Sequence, residues 1–161
     1  MKYIKVGTIV NTHALKGEVR IISNFEYKDR VFKINNTLYI GMSKSEEVIE
    51  TYRVHKNFDM VKFKGIGNIT DVLKYKGSAV YVNIDDLKLK DDEILIEELL
   101  GMSVIVNDKL LGSITDYIDN NGNKLVVVNN KYIPYNKDLI EKIDKINRKV
   151  YYKNIDYIVG D

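Results

Sequence analysis

His13 and His55 are the only imidazoles in the 161-residue chain, and so its only ordinary candidates for acid–base work near neutral pH. Glu18 lies five residues after His13, and a histidine held by a nearby carboxylate can move protons. The rest of the catalytic inventory is thin. There is no cysteine, which excludes disulfides, thiolate nucleophiles and cysteine-ligated zinc. No serine or lysine stands in a recognisable nucleophile setting, and no glycine-rich loop is built to cradle phosphate. Glu141 and Asp144 have helical spacing but no histidine to complete a site. His55 falls in the middle of a strand pattern and reads as a structural or surface residue, while His13 reads as structural or binding rather than catalytic. The expectation is a protein that is not an enzyme and needs neither cofactor nor metal.

Charge points to contact rather than chemistry. The formal net charge is +2, but it is divided unevenly. Residues 1–87 hold 14 Lys/Arg against 10 Asp/Glu, whereas residues 88–161 hold 11 against 13. Lysine is so abundant that scattered copies say little. Arginine is rare, with Arg20, Arg30, Arg53 and Arg148 as the complete set. Its planar fork binds carboxylate or phosphate in a bidentate way that lysine cannot match. Three of the four lie in the first 53 residues, where a phosphate contact and an Arg–Glu pair within a barrel explain them equally well. His13, Lys16, Arg20 and Arg53 are therefore the candidates for RNA proximity. A front half of modest positive charge would bind RNA weakly and with strong salt dependence.

These residues need a frame, and short β-strands supply it. Residues 3–6 alternate, residues 18–21 resume the two-residue rhythm, and between them lies a loop in which Gly17 is placed for a positive φ. Residues 24–32 read as a loop with a short helical turn. Residues 37–40, 48–56 and 60–63 read as strands, the last two forming a hairpin. Residues 68–75 are the best helix in the front half, with Asn68 as cap and Ile69, Val72 and Leu73 on one face. Residues 78–83 complete the set. Six short strands in so short a length predict a small barrel. The charged run 85–93 (DDLKLKDDE) has little to bury. After it come a buried strand at 94–96 and strands over 103–106, 111–118, 125–128, 132–134 and 149–152. The expected architecture is mainly β: a barrel over 1–86, a charged linker over 87–93, and a second barrel over 94–161.

Acidic residues Asp91, Asp92, Glu93, Glu97 and Glu98 interleave with Ile94, Leu95, Ile96, Leu99 and Leu100. A linker running into a buried strand accounts for this pattern. So does an apolar strip with an acidic rim suited to a basic protein. No apolar run approaches the roughly 18 residues of a membrane span, and the amino terminus lacks the apolar core of a signal peptide. The chain is expected to be cytoplasmic.

Residues 7–20 (GTIVNTHALKGEVR) resemble the N-terminal signature of the RimM family of bacterial ribosome maturation factors, G-x-I-V-x-x-H-G-L-K-G-E-V-R, with Ala14 where that family commonly has glycine. The back half resembles a PRC-barrel domain, through residues 98–101 (ELLG), 111–114 (LGSI), the run 125–128 (LVVV) and 133–135 (IPY). Both motifs occur in the family's order, and the likeness covers about residues 3–159. It implies an assembly chaperone for the head of the small ribosomal subunit that aids 16S rRNA processing. The implied partners are the nineteenth protein of that subunit and immature rRNA, with the factor itself a monomer. The implied ribosomal-protein contact runs through Ile94, Leu95, Glu97, Glu98, Leu99, Leu100, Gly101 and Pro134. Relatives usually carry a tyrosine pair in this stretch, matched here by Ile94 and Leu95, so phenolic hydrogen bonds are lost. The alternative is a stand-alone RNA-binding barrel.

Overall fold

A computed structural model describes residues 1–13, 17–120 and 122–154. The chain divides into two compact units, Met1–Lys88 and the remainder from Leu89. Both are built mostly on antiparallel strand pairs, and the protein is mainly β as expected.

The first unit is a closed six-stranded barrel. Its strands are β1 (Tyr3–His13), β2 (Glu18–Ile22), β3 (Thr37–Ile40), β4 (Ser45–His55), β5 (Phe58–Phe63) and β6 (Ala79–Asn83), in the order β1-β2-β5-β4-β3-β6. Closure depends on β1 serving two neighbours. Its first half pairs with β6 from Tyr3↔Asn83 to Thr8↔Ala79, and its second half pairs with β2 from Thr8↔Ile22 to His13↔Glu18. Bulges between Lys5 and Gly7, and between Ile9 and Asn11, bend the strand from one partner to the other. Gly7 is required at this bend, because a Cβ there would stand 2.7 Å from the Ile22 carbonyl oxygen. Ile9, Val19, Ile21, Leu38, Ile49 and Phe63 are all fully buried.

The expected helix at 68–75 is a 3-10 helix, Ile69–Tyr75, capped as foreseen by the Asn68 side chain accepting from the Asp71 amide at 3.2 Å. β-Branched residues and a length of seven do not favour a propagating α-helix. The tighter winding changes the buried face. Three residues per turn aligns Ile69, Val72 and Tyr75, so Val72 and Tyr75 are buried while Leu73 turns out to solvent at 51% exposure. The Tyr75 hydroxyl donates to Glu47, and burial together with that bond pushes its pKa up to about 12.

The second unit is a six-stranded sheet of order β10-β9-β8-β7-β12-β11: β7 (Ser103–Val106), β8 (Lys109–Asn120), β9 (Asn123–Val128), β10 (Lys131–Pro134), β11 (Ile140–Asp144) and β12 (Lys149–Tyr152). β12 runs parallel to β7 and the remaining pairs are antiparallel. A flat sheet would separate β10 and β12 by about 19 Å, four strand spacings. The Tyr152 hydroxyl nevertheless donates to the Pro134 carbonyl at 2.9 Å, so the sheet curls around its core. That core includes Ile94, Leu99, Met102, Val104, Ile114, Val126, Ile133 and Val150. Lys90 and Glu93 belong to this unit: the Lys90 carbonyl accepts from Lys145 Nζ at 3.1 Å, and its amide donates to the Glu93 carboxylate at 2.9 Å.

Candidate functional site

β2 sorts its residues by alternation. Val19 and Ile21 are buried in the barrel, and Glu18 and Arg20 occupy the other face. Register brings further chemistry to that face. His13 lies opposite Glu18, Arg20 opposite Met60, Met60 in turn opposite Arg53, and Phe58 opposite His55. Four adjacent strands, β1, β2, β5 and β4, thus assemble one cluster.

The contacts within it are specific. Arg53 donates through Nε and Nη2 to the two Glu18 carboxylate oxygens at 2.9 and 2.7 Å, a bidentate pair. That donation holds the Glu18 carboxyl below its ordinary 4.5, against an opposing effect of burial. Arg20 turns the other way. Its Nη2 lies 2.6 Å from His13 Nδ1, and its guanidinium carbon sits 5.5 Å from the centre of the Phe58 ring. A guanidinium has no acceptor, so the imidazole accepts at Nδ1 and carries its proton on Nε2. The His13 and His55 rings stack with centroids 6.1 Å apart and planes 24° from parallel. Arg20 Nε is buried and has no partner among the described residues.

His13, Arg20 and Arg53 are therefore brought together as candidates, while Lys16 lies outside the described residues. A His13–Glu18 proton-moving pair is not formed. The two residues are cross-strand neighbours, but Arg53 takes the carboxylate and Arg20 takes the imidazole. Sequence reasoning missed His55 and Phe58 as members. The signal was present in the spacing: residues 18 and 20, and residues 53 and 55, are each two apart on a strand and share a face. Among the described residues, no group of three or more His, Asp or Glu side chains is placed to hold a metal ion. None of the described helices is long and apolar enough to cross a membrane.

The second candidate stretch, 94–101, requires correction. Ile94, Leu95 and Leu99 do not form an exposed strip; they are exposed by only 2%, 4% and 0%. Nor is there a strand at 94–96. The chain is extended at Leu95 and then enters a 3-10 turn, Ile96–Leu99, in which the Glu98 carboxylate accepts from the Leu95 amide at 3.3 Å. Glu98 is thus engaged locally. Arg148 fixes the far end of the turn, its Nη2 donating to the Leu100 carbonyl at 2.6 Å and lying 3.5 Å from that of Glu98. Glu97, Leu100 and Gly101 remain accessible. Pro134 lies in a cross-strand row with Leu125 and Ile118, and the next row contains Tyr132, Val127 and Asp116. Tyr132 is 62% exposed, so this apolar surface is open to solvent.

Sheet order and cluster define a class: a mainly β protein of two units, whose closed front barrel carries an arginine–histidine cluster on its wall. The family model described as RimM N-terminal domain matches residues 4–87, more than half of the chain. The chain is 34% identical over its whole length to the ribosome maturation factor RimM of an Exiguobacterium species, covering 99% of that protein. It is 38% identical over 160 residues to the Streptococcus mutans ribosome maturation factor RimM, covering 93% of each chain. A crystal structure of a Pseudomonas aeruginosa 16S ribosomal RNA processing protein RimM superposes with a TM-score of 0.50 at 18% identity, covering 94% of this chain and 97% of that one, a likeness of fold. The chain belongs to the RimM family of ribosome maturation factors.

Proposed function

We propose that this protein is a cytoplasmic assembly factor that acts as a monomer on the maturing head of the small ribosomal subunit and has no chemistry of its own. The observation that carries the reading is identity to ribosome maturation factors along the entire chain, both units included. In this reading the second unit captures a basic head ribosomal protein. Its accessible surface comprises Glu97, Leu100, Gly101 and the row Ile118–Leu125–Pro134, with Tyr132 as an aromatic anchor of the kind that dominates interface energetics. The slight negative charge of the back half favours such a partner. The first unit faces ribosomal RNA with the wall that carries His13, Arg20 and Arg53, and its engagement aids 16S rRNA processing. Binding biases assembly only to the extent that the factor prefers one arrangement of protein and RNA over the other.

The test is capture of the purified head protein by the full chain. Tyr132→Asp places a charge in the exposed apolar row and should weaken capture by at least about tenfold, with an unchanged melting temperature. Undiminished capture by that variant would remove this row from the interface.

A further inference from the structure

Arg53 and Arg20 share a face but stand in opposite states. Arg53 is spent on a carboxylate of its own barrel, in bidentate geometry. Arg20 meets no carboxylate among the described residues. Of its five N–H donors, one contacts His13 and Nε is buried without a partner, while the guanidinium plane is held over Phe58. The fork is therefore fixed in place by a ring below and an imidazole at its tip, with donors left over. Locking a long cation in one rotamer costs side-chain entropy, a cost that an incoming anion bound by the remaining Nη donors would offset; the buried Nε is not among those donors.

The surroundings select the kind of anion. His13, accepting at Nδ1, keeps Nε2–H as a further donor. His13, His55 and Phe58 are flat π-systems grouped beside these donors. An acidic peptide would use the donors and leave the rings idle. Single-stranded nucleic acid uses both, its phosphate on the fork and an unstacked base on a ring.

Resting on the proposed RNA-facing role of the first unit, we infer that Arg20, His13, His55 and Phe58 form a subsite for one nucleotide of unpaired RNA. Arg20 and His13 Nε2–H receive the phosphate, and the imidazole of His55 or the ring of Phe58 receives the base. Glu18 and Arg53 are not ligands in this arrangement. Their ion pair prevents Glu18 from reaching Arg20 and quenching the subsite.

Fluorescence anisotropy of a labelled single-stranded RNA oligonucleotide across a salt series tests this with the full chain. Arg20→Lys keeps the charge but loses the fork, and should weaken binding about tenfold. Arg20→Ala should also reduce the slope of log affinity against log salt by about 0.7, the value of one phosphate contact on a single strand. His55→Ala should weaken binding several-fold without changing that slope. Circular dichroism and thermal melting check that each variant folds. Should Arg20→Lys and His55→Ala both bind like the parent, the subsite is refuted. Competition by an acidic peptide at concentrations matching the RNA would also refute it, in favour of a protein ligand. Capture of the head ribosomal protein, measured on the same variants, should be unaffected. Loss of capture by the parent protein would instead defeat the assembly reading and leave the RNA result to stand or fall alone.

Discussion

Lysine is the default cation of this chain, and at Arg53 a planar fork does something a point charge cannot. Arg53 straddles both oxygens of Glu18, Arg148 reaches backbone carbonyls at the end of a 3-10 turn, Arg30 lies over the Tyr27 ring at 5.5 Å, and Arg20 joins an imidazole to a phenyl ring. The Glu18–Arg53 pair has a pH signature. Because the folded-state pKa of Glu18 is lowered, the unfolded chain binds that proton more readily, and the pair stabilises the fold above the ordinary value of 4.5. The contribution disappears as pH falls through the lowered value. Urea titrations of the parent and Glu18→Gln should therefore differ at pH 7 and converge in acid, once pH has fallen from 4.5 through the lowered value. A difference that persists in acid would mean that Glu18 acts through packing. Asp59 shows the barrel holding a buried carboxylate by comparable means, with Lys28 at 2.8 Å and the Tyr52 hydroxyl donating at 2.6 Å. Burial, with the bond to Asp59 and its negative charge, raises the phenol of Tyr52 well above its ordinary pKa.

At the scale of elements, two positions carry direct tests. Gly17 has φ +86°, and a Cβ there would lie 2.7 Å from the Asn68 carbonyl, at the cap of the 3-10 helix. Gly17→Ala should cost about 2 kcal/mol from the combination of backbone strain and collision, read as a lowered denaturation midpoint. Leu99 is fully buried in the second core. Leu99→Ala should cost about 3 kcal/mol, whereas a surface position would cost almost nothing.

What the sequence discloses about these elements depends on how local the governing physics is. Gly17 and Asn68 were legible because positive φ and side-chain capping are decided within a few residues, and strand 37–40 was legible from composition and its Asn35–Asn36 turn, where Asn35 takes φ 74°. Leu73 was misassigned because 3.6- and 3-residue windings bury different faces, and a seven-residue segment does not announce its winding. Ile94, Leu95 and Leu99 misled for another reason. An apolar run beside acids has the same pattern whether its apolar side faces a core or a partner, and only the packing of the second sheet decides. The arginine–histidine cluster was half visible: residue types and two-residue spacings were in view, but the pairing of β2 with β5 rather than β3 is a non-local choice that brings Arg53 to Glu18.

For the whole molecule, the proposed role divides labour between a barrel whose wall carries cationic forks and rings and a sheet that exposes Tyr132 beside the Pro134 row. In that proposed role neither surface needs a reactive group, and each would meet a component of one ribonucleoprotein. Sedimentation of lysate through a sucrose gradient, followed by detection of this protein across the fractions, tests that claim most directly. The protein should co-sediment with immature small subunits and be depleted from mature ribosomes, and Tyr132→Asp and Arg20→Lys should each reduce that co-sedimentation. A protein that stays at the top of the gradient when immature subunits are abundant would contradict it.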